Sequence, residues 1–244
     1  IEIANMHEQT HQREERLLAV VPDAPAAQSG VVVVAAGDGN RVLFESLALG
    51  PVTIIEGGQT MNPSTADLLR AVQSLDAEEA LILPNNSNIL LAAEHAAANA
   101  DRAVEVVAST SIPAGLAAMV AYDGGRTAAE NAAEMREAIA NVATGEVTRA
   151  SRDVQLNGLA ITKGDWLGLA EGEPIAGGDD FDEVTEAVVG RLLAEPRGLL
   201  TLLVGRDGAE LDRLLQHLEQ AHPGVEVDVQ QGGQPHYNLL LSAE

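Results

Sequence analysis

The sequence predicts an α/β fold in two lobes, the first a mainly parallel sheet flanked by helices and the second mixed α+β. Three observations point there. From 31 to 107, short apolar runs alternate with longer helix-patterned segments, as in a parallel sheet with helices on its faces. From 146 to 175 that alternation gives way to strand-like runs and scattered glycines, including Gly158, Gly164, Gly168 and Gly172. With 46% hydrophobic content, 244 residues can bury a sizeable core.

The elements follow in order. Residues 5–16 are almost wholly polar, and 22–29 read as a Pro/Ala/Ser linker. The expected organisation is therefore a polar segment over 1–29, a first lobe over 30–122 and a second over 123–244. Val31–Ala35 carries four consecutive valines, a buried-strand signal. A helix over 41–49 leads to a strand at 52–55, a helix over 65–74 to a strand at 80–83, and a helix over 88–99 to a strand at 104–107. After Asp123-Gly124-Gly125, a helix is expected over 127–142. The β-rich section over 146–175 comes next, then a helix over 181–194, a strand at 199–204 and a helix over 209–221. Strands at 225–229 and 237–241 close the chain. A faint internal repeat relates Val31–Ala35 with Gly37-Asp38-Gly39 to Leu199–Val204 with Gly205-Arg206-Asp207-Gly208. Each unit runs on to a Gly-Gly-Gln, at 57–59 and at 232–234.

Charge narrows the partners. Thirty-seven acidic side chains face 14 basic ones, a formal net charge of −23. Such a surface repels phosphate backbones and anionic lipids, so no nucleic-acid partner and no membrane insertion are expected. There is no cysteine, which removes disulfides, thiolate catalysis and Cys-based zinc sites. Lys163 is the only lysine, so a catalytic lysine could be no other residue. No signal peptide or bilayer-length apolar run is evident, and a cytoplasmic location is expected. The chain opens mid-pattern at Ile1-Glu2-Ile3 and reads as part of a longer protein.

The stretch Gly57–Thr65 sits between a strand and a helix, and is long and polar for such a turn. It holds two glycines, Gln59, Thr60, Asn62, Ser64 and Thr65, but no strong acid, base or thiol. In a parallel sheet the loops after each strand leave from the same edge, where α/β folds bind ligands. Those loops are Ala36–Asn40, Glu56–Thr65, Pro84–Asn88 and Ala108–Gly115. Their shared Gly, Asn, Gln, Ser and Thr content suggests an uncharged hydrogen-bonding rim for a partner or ligand. Its expected members are Gly57, Gly58, Gln59, Thr60, Met61, Asn62, Ser64, Thr65, Asn85, Asn86 and Asn88, joined from the second lobe by Gly232, Gly233 and Gln234. Loops over 57–65 and 84–88 are expected side by side, because sequential strands usually neighbour each other. Each loop also has a plain structural reading. Ser64 and Asp67 fit a capping box, Asn85, Asn86 and Ser87 can cap the next helix, and Thr110 to Gly115 is ordinary turn chemistry.

No catalytic or metal-binding residue is assigned. His7-Glu8-Gln9-Thr10-His11 matches a zinc-protease pattern, but no apolar stripe would bury it in a site and no third ligand is evident. Gly37-Asp38-Gly39-Asn40 lacks the lysine of a phosphate loop, and Asp38 sits where an anion would lie, so a capped tight turn is the better reading. Trp166 is read as core.

Several of these strings resemble a known family. Gly57–Thr65, Leu83-Pro84-Asn85-Asn86-x-Asn88-Ile89 and Ile112-Pro113-x-Gly115-Leu116-x-Ala118 look like the C-terminal domain of the bacterial fatty acid kinase catalytic subunit. The likeness extends to Ile3-x-Asn5-Met6-x-Glu8-Gln9, Ile161-x-Lys163-Gly164-Asp165-x-Leu167-Gly168 and Gly232-Gly233-Gln234-Pro235-x-Tyr237. The resemblance implies a DegV-like fold and a larger parent, with ATP and magnesium held by an N-terminal domain similar to dihydroxyacetone kinases. No cofactor is expected in this chain. The implied partners are a DegV-family fatty-acid-binding carrier and the N-terminal kinase domain of the same protein, with a homodimer left open. The implied role is docking that carrier, without chemistry of its own. A small-molecule or fatty-acid binding domain, or a fragment of a dihydroxyacetone-kinase-type enzyme, are the alternatives.

Overall fold

A computed structural model describes residues 27–57, 62–156, 159–208 and 210–244. The His7–His11 motif and Gly58, Gln59, Thr60 and Met61 of the predicted rim lie outside the described residues.

The first lobe is a four-stranded parallel sheet of β1 (Ala27–Ala35), β2 (Val52–Glu56), β3 (Ala77–Leu83) and β4 (Val104–Val106), in the order β2-β1-β3-β4. Strand β1 begins at Ala27, so residues 27–29, read as linker, belong to the sheet. Its alternation serves two cores at once. Val31, Val33 and Ala35 face one side with Phe44 and Met119, while Val32 and Val34 face the other with Leu68, Val72 and Ala93. Helices cover both faces, as a sheet buried on both sides demands. On the first side lie α1 (Asp38–Leu47), α4 (Ile112–Val120) and α5 (Ala128–Asn141), and on the second α2 (Thr65–Ser74) and α3 (Leu90–Ala98). Capping boxes start α2, from Ser64 and Asp67, and α5, from Thr127 and Glu130.

Three expectations are corrected. Strands β2 and β3 are not neighbours, because β1 lies between them. The chain steps to one side of β1 and then returns to the other, so the loops after β2 and β3 are separated by the loop after β1. Helix α4 occupies ground read partly as a loop ending at Gly115. Its Pro113 sits in the first turn, where a missing N–H costs nothing. Its remaining residues are nearly all apolar, so no 3.6-residue stripe marks it. Finally, Ala128, Ala132 and Met135 of α5 pack into the first lobe's core with Val31, Val33, Leu81 and Leu83. The changeover between lobes therefore falls near 142, not at 123.

The second lobe is a six-stranded mixed sheet in the order β11-β10-β12-β5-β8-β9. Its strands are β5 (Ala143–Arg149), β8 (Trp166–Ala170), β9 (Glu173–Gly178), β10 (Leu199–Val204), β11 (Glu226–Gln231) and β12 (Tyr237–Ala243). A short hairpin of β6 (Val154–Leu156) and β7 (Leu159–Ile161) stands apart from it. Only β10 and β11 pair in parallel, joined through α7 (Asp212–Ala221). That unit matches β1–α1–β2, as the internal repeat suggested. Helix α6 (Phe181–Leu192), capped by Asp180, covers the sheet with α7 over Val147, Leu200, Leu202, Leu239 and Leu241. Trp166 is buried in this core, edge-on to Phe181 at 4.8 Å and beneath the Arg149 guanidinium.

Candidate functional site

The carboxyl ends of β1 to β4 gather on one edge, as the loop pattern required. The predicted residues there divide into two kinds. Asn62, Ser64 and Asn88 are exposed, joined by Ser87 and Thr110, so these groups form an open polar rim. Ser64 is also a helix cap, through hydrogen bonds shared with Asp67. Thr65 opens α2 and is half-buried. Gly57 is buried, and its N–H donates to the Ala35 carbonyl at 3.3 Å.

Asn85 and Asn86 are not rim residues in the exposed sense, at 7% and 9% exposure. The Asn86 side chain accepts from the Asn88 N–H at 2.9 Å and caps a single turn over 87–89. Asn85 adopts a left-handed backbone, φ 53°, uncommon for any residue but glycine. Its Nδ2 donates to the Val34 carbonyl at 2.9 Å, and its N–H donates to Ser109 Oγ at 3.1 Å. Its Oδ1 leans over Gly115, where a Cβ would lie 2.0 Å from that oxygen. Asn85 thus clamps β1, β3 and α4 together, and Gly115 is small because the amide occupies the space.

The second-lobe residues Gly232, Gly233 and Gln234 turn inward as well. They meet Gly37-Asp38-Gly39-Asn40 across the lobe junction. The Asn40 N–H donates to the Gly232 carbonyl at 3.0 Å, and Asn40 Nδ2 donates to Gln234 Oε1 at 3.1 Å and to the Ala36 carbonyl at 2.8 Å. Gln234 Nε2 donates onward to the Leu203 carbonyl at 2.8 Å. A Cβ on Gly39 would stand 1.6 Å from the Gln231 carbonyl oxygen, and one on Gly37 2.3 Å from that of Gly232. The two glycine-rich loops of the internal repeat therefore serve each other as backbone-to-backbone contacts. The turn at 37–40 opens α1 as expected, but without a side-chain cap.

Between this junction and α4 lies a crevice of about 50 Å³ at the carboxyl ends of β1 and β3. That is the switch point of the sheet, where successive connections leave in opposite directions and α/β proteins bind their ligands. Asn85, Asn86, Thr110 and Ser111 line it from the first lobe, and Glu146, Gln234 and Tyr237 from the second. Burial pushes the Glu146 carboxyl above the ordinary glutamate value, against the opposing pull of a hydrogen bond from Tyr237. Sequence reasoning missed Glu146 and Tyr237. Glu146 alternates with Gly145 and Val147 and reads as the solvent side of a strand. Only the packing of the first lobe on that face encloses it. A broad open groove in the second lobe, bordered by Arg149, Trp166, Asp179, Asp207 and Arg213, also went unforeseen.

Among the described residues, no helix is long and apolar enough to cross a membrane. With this geometry in view, the relatives are informative. Residues 30–244 match the family model for the FakA-like C-terminal domain of fatty acid kinases. The chain belongs to that family. It is 36% identical over 249 residues to an uncharacterized protein of Staphylococcus aureus strain USA300, covering all of this chain and 45% of that relative. The chain thus spans about half the length of the curated relatives it matches. Among solved structures, it superposes on a fatty-acid-binding DegV family protein from Thermus thermophilus with a TM-score of 0.59 at 17% identity, covering 89% of this chain and 99% of that one. It also superposes on the dihydroxyacetone kinase of C. freundii with a TM-score of 0.60 at 17% identity, covering 91% of this chain and 48% of that one. At such identities the likeness is one of fold, and this FakA-like C-terminal domain is a two-lobed DegV-like and dihydroxyacetone-kinase-like α/β unit.

Proposed function

We propose that this domain is the docking platform of a fatty acid kinase, receiving a DegV-family protein that carries the fatty acid to be phosphorylated. The observation that carries this reading is the form of the carboxyl edge. The fold's usual ligand position holds a crevice of only about 50 Å³. Small-molecule pockets run to roughly 300–1,000 Å³, so an acyl chain finds no room there. Around that crevice stand exposed uncharged groups, Asn62, Ser64, Ser87, Asn88 and Thr110. Such groups pair with a partner's backbone without the desolvation cost of charges. In this reading the phosphoryl transfer, with ATP and magnesium, belongs to the part of the protein upstream, and the kinase works in the cytoplasm. The domain then holds carrier and kinase in register, which is catalysis by proximity.

Isothermal titration of the protein with an acyl-loaded DegV-family carrier, and separately with free oleate, tests the reading. Saturable carrier binding without oleate binding is the expected result. Oleate binding in the absence of carrier, or no carrier binding at all, overturns it.

A further inference from the structure

The crevice at the switch point holds two groups whose chemistry is incomplete. Glu146 sits in the middle of the second sheet, opposite Leu240 of β12 and Leu169 of β8. Carboxyls in such positions are normally paired with a cation, because an unpaired buried charge is costly. Among the described residues, no ion pair includes Glu146. Its hydrogen-bond partner is the neutral Tyr237 hydroxyl. The second group is the Asn85 Oδ1, which is buried and has no donor among the described residues. The amide cannot turn to hide it, since Nδ2 is committed to the Val34 carbonyl. Leaving a buried acceptor unmade is unfavourable, and so is holding a non-glycine residue at φ 53°. Both features fall on the one residue that lines the crevice at the end of β3.

A buried acceptor without a donor calls for one, and a carboxyl without a cation calls for a positive one. We propose that this crevice receives a lysine or arginine side chain of the docked carrier, with Glu146 as its counter-ion and the Asn85 amide oxygen as a second acceptor. The inference rests on the docking reading and specifies its chemistry. The volume suits it, since about 50 Å³ admits the end of one side chain with a few waters and little else. The charge suits it too: a domain with formal net charge −23 draws a basic surface toward it. A carboxylate ligand is disfavoured, because it would set a negative charge against Glu146.

The test compares the full-length kinase with its Glu146→Gln variant, titrated with acyl-loaded DegV-family carrier at low and high salt. Glutamine keeps the shape and a hydrogen bond to Tyr237, and removes the charge. The expected result is at least tenfold weaker carrier binding, with the difference shrinking as salt rises and the melting temperature not lowered. Alanine variants at each exposed lysine and arginine of the carrier should reveal one whose loss is no longer felt once Glu146 is replaced. If the glutamine variant misfolds, Glu146→Asp, which keeps the charge but draws it back by one methylene, should still bind at least fivefold more weakly. Binding within twofold of wild type in the folded variant overturns the inference while leaving the docking reading standing. Failure of the wild-type kinase to bind carrier overturns both.

Discussion

Replacing Gly39 by alanine sets two physical effects against each other. Gly39 lies in the first turn of α1, where intrinsic propensity favours alanine by up to about 1 kcal/mol. The lobe junction opposes it. The new Cβ would stand 1.6 Å from the Gln231 carbonyl oxygen, a backbone atom that no side-chain rotation can move aside. A carbon and an oxygen need about 3.3 Å, so the facing backbones must part by roughly 1.5 Å. That separation breaks the Asn40 hydrogen bonds to Gly232 and Gln234, now 3.0 and 3.1 Å. Each contributes about 1 kcal/mol and leaves a buried group unsatisfied when lost. Overpacking adds about 1–3 kcal/mol. The net expectation is a loss of about 3–5 kcal/mol, a large share of the ~5–15 kcal/mol that stabilises a typical domain. Thermal melting followed through Trp166 fluorescence should show a drop of roughly 10 °C. A variant melting at or above the wild-type temperature would mean that propensity wins and that the glycine loops do not fasten the lobes.

Three further outcomes follow from the same contacts. Gly115→Ala places a Cβ 2.0 Å from Asn85 Oδ1 and should destabilise by about 1–3 kcal/mol, whereas adding Asn85→Gly should recover part of that loss in chemical denaturation. Tyr122→Phe removes a buried hydroxyl that donates to the Ser29 carbonyl at 2.7 Å, and should cost about 1–2 kcal/mol by the same assay. Glu146 is held above its ordinary value in the folded state, so the folded protein binds the extra proton. Its favourable contribution is complete below about pH 4.5 and declines as pH rises through the raised value. The stability of Glu146→Gln relative to wild type should therefore improve from pH 4 to pH 7, and a gap independent of pH would refute the burial of that carboxyl.

The first sheet was legible because four strands with near-continuous apolar runs alternate with capped helices, and local pattern suffices to read that. Strand order was not legible, since nothing in 52–55 or 80–83 says that β1 inserts between them. Helix α4 escaped because a helix buried between two lobes needs no polar face and so loses its periodicity. Of the predicted site, Asn62, Ser64 and Asn88 were placed on the exposed edge, while Asn85, Gly232, Gly233 and Gln234 were recognised as special for the wrong reason. Their glycine and amide chemistry marked a close approach of backbones, and it is the other lobe that approaches. Glu146 carried no signal at all, because its enclosure comes from residues about 60 positions before it and 90 after it in the chain.

The most direct test of the docking account is hydrogen–deuterium exchange on the full-length kinase, with and without acyl-loaded DegV-family carrier. The account predicts slower exchange on carrier binding at 62–65, 84–88 and 108–112, the loops of the carboxyl edge. Protection confined to the outer faces of α6 and α7, with that edge unchanged, would contradict it.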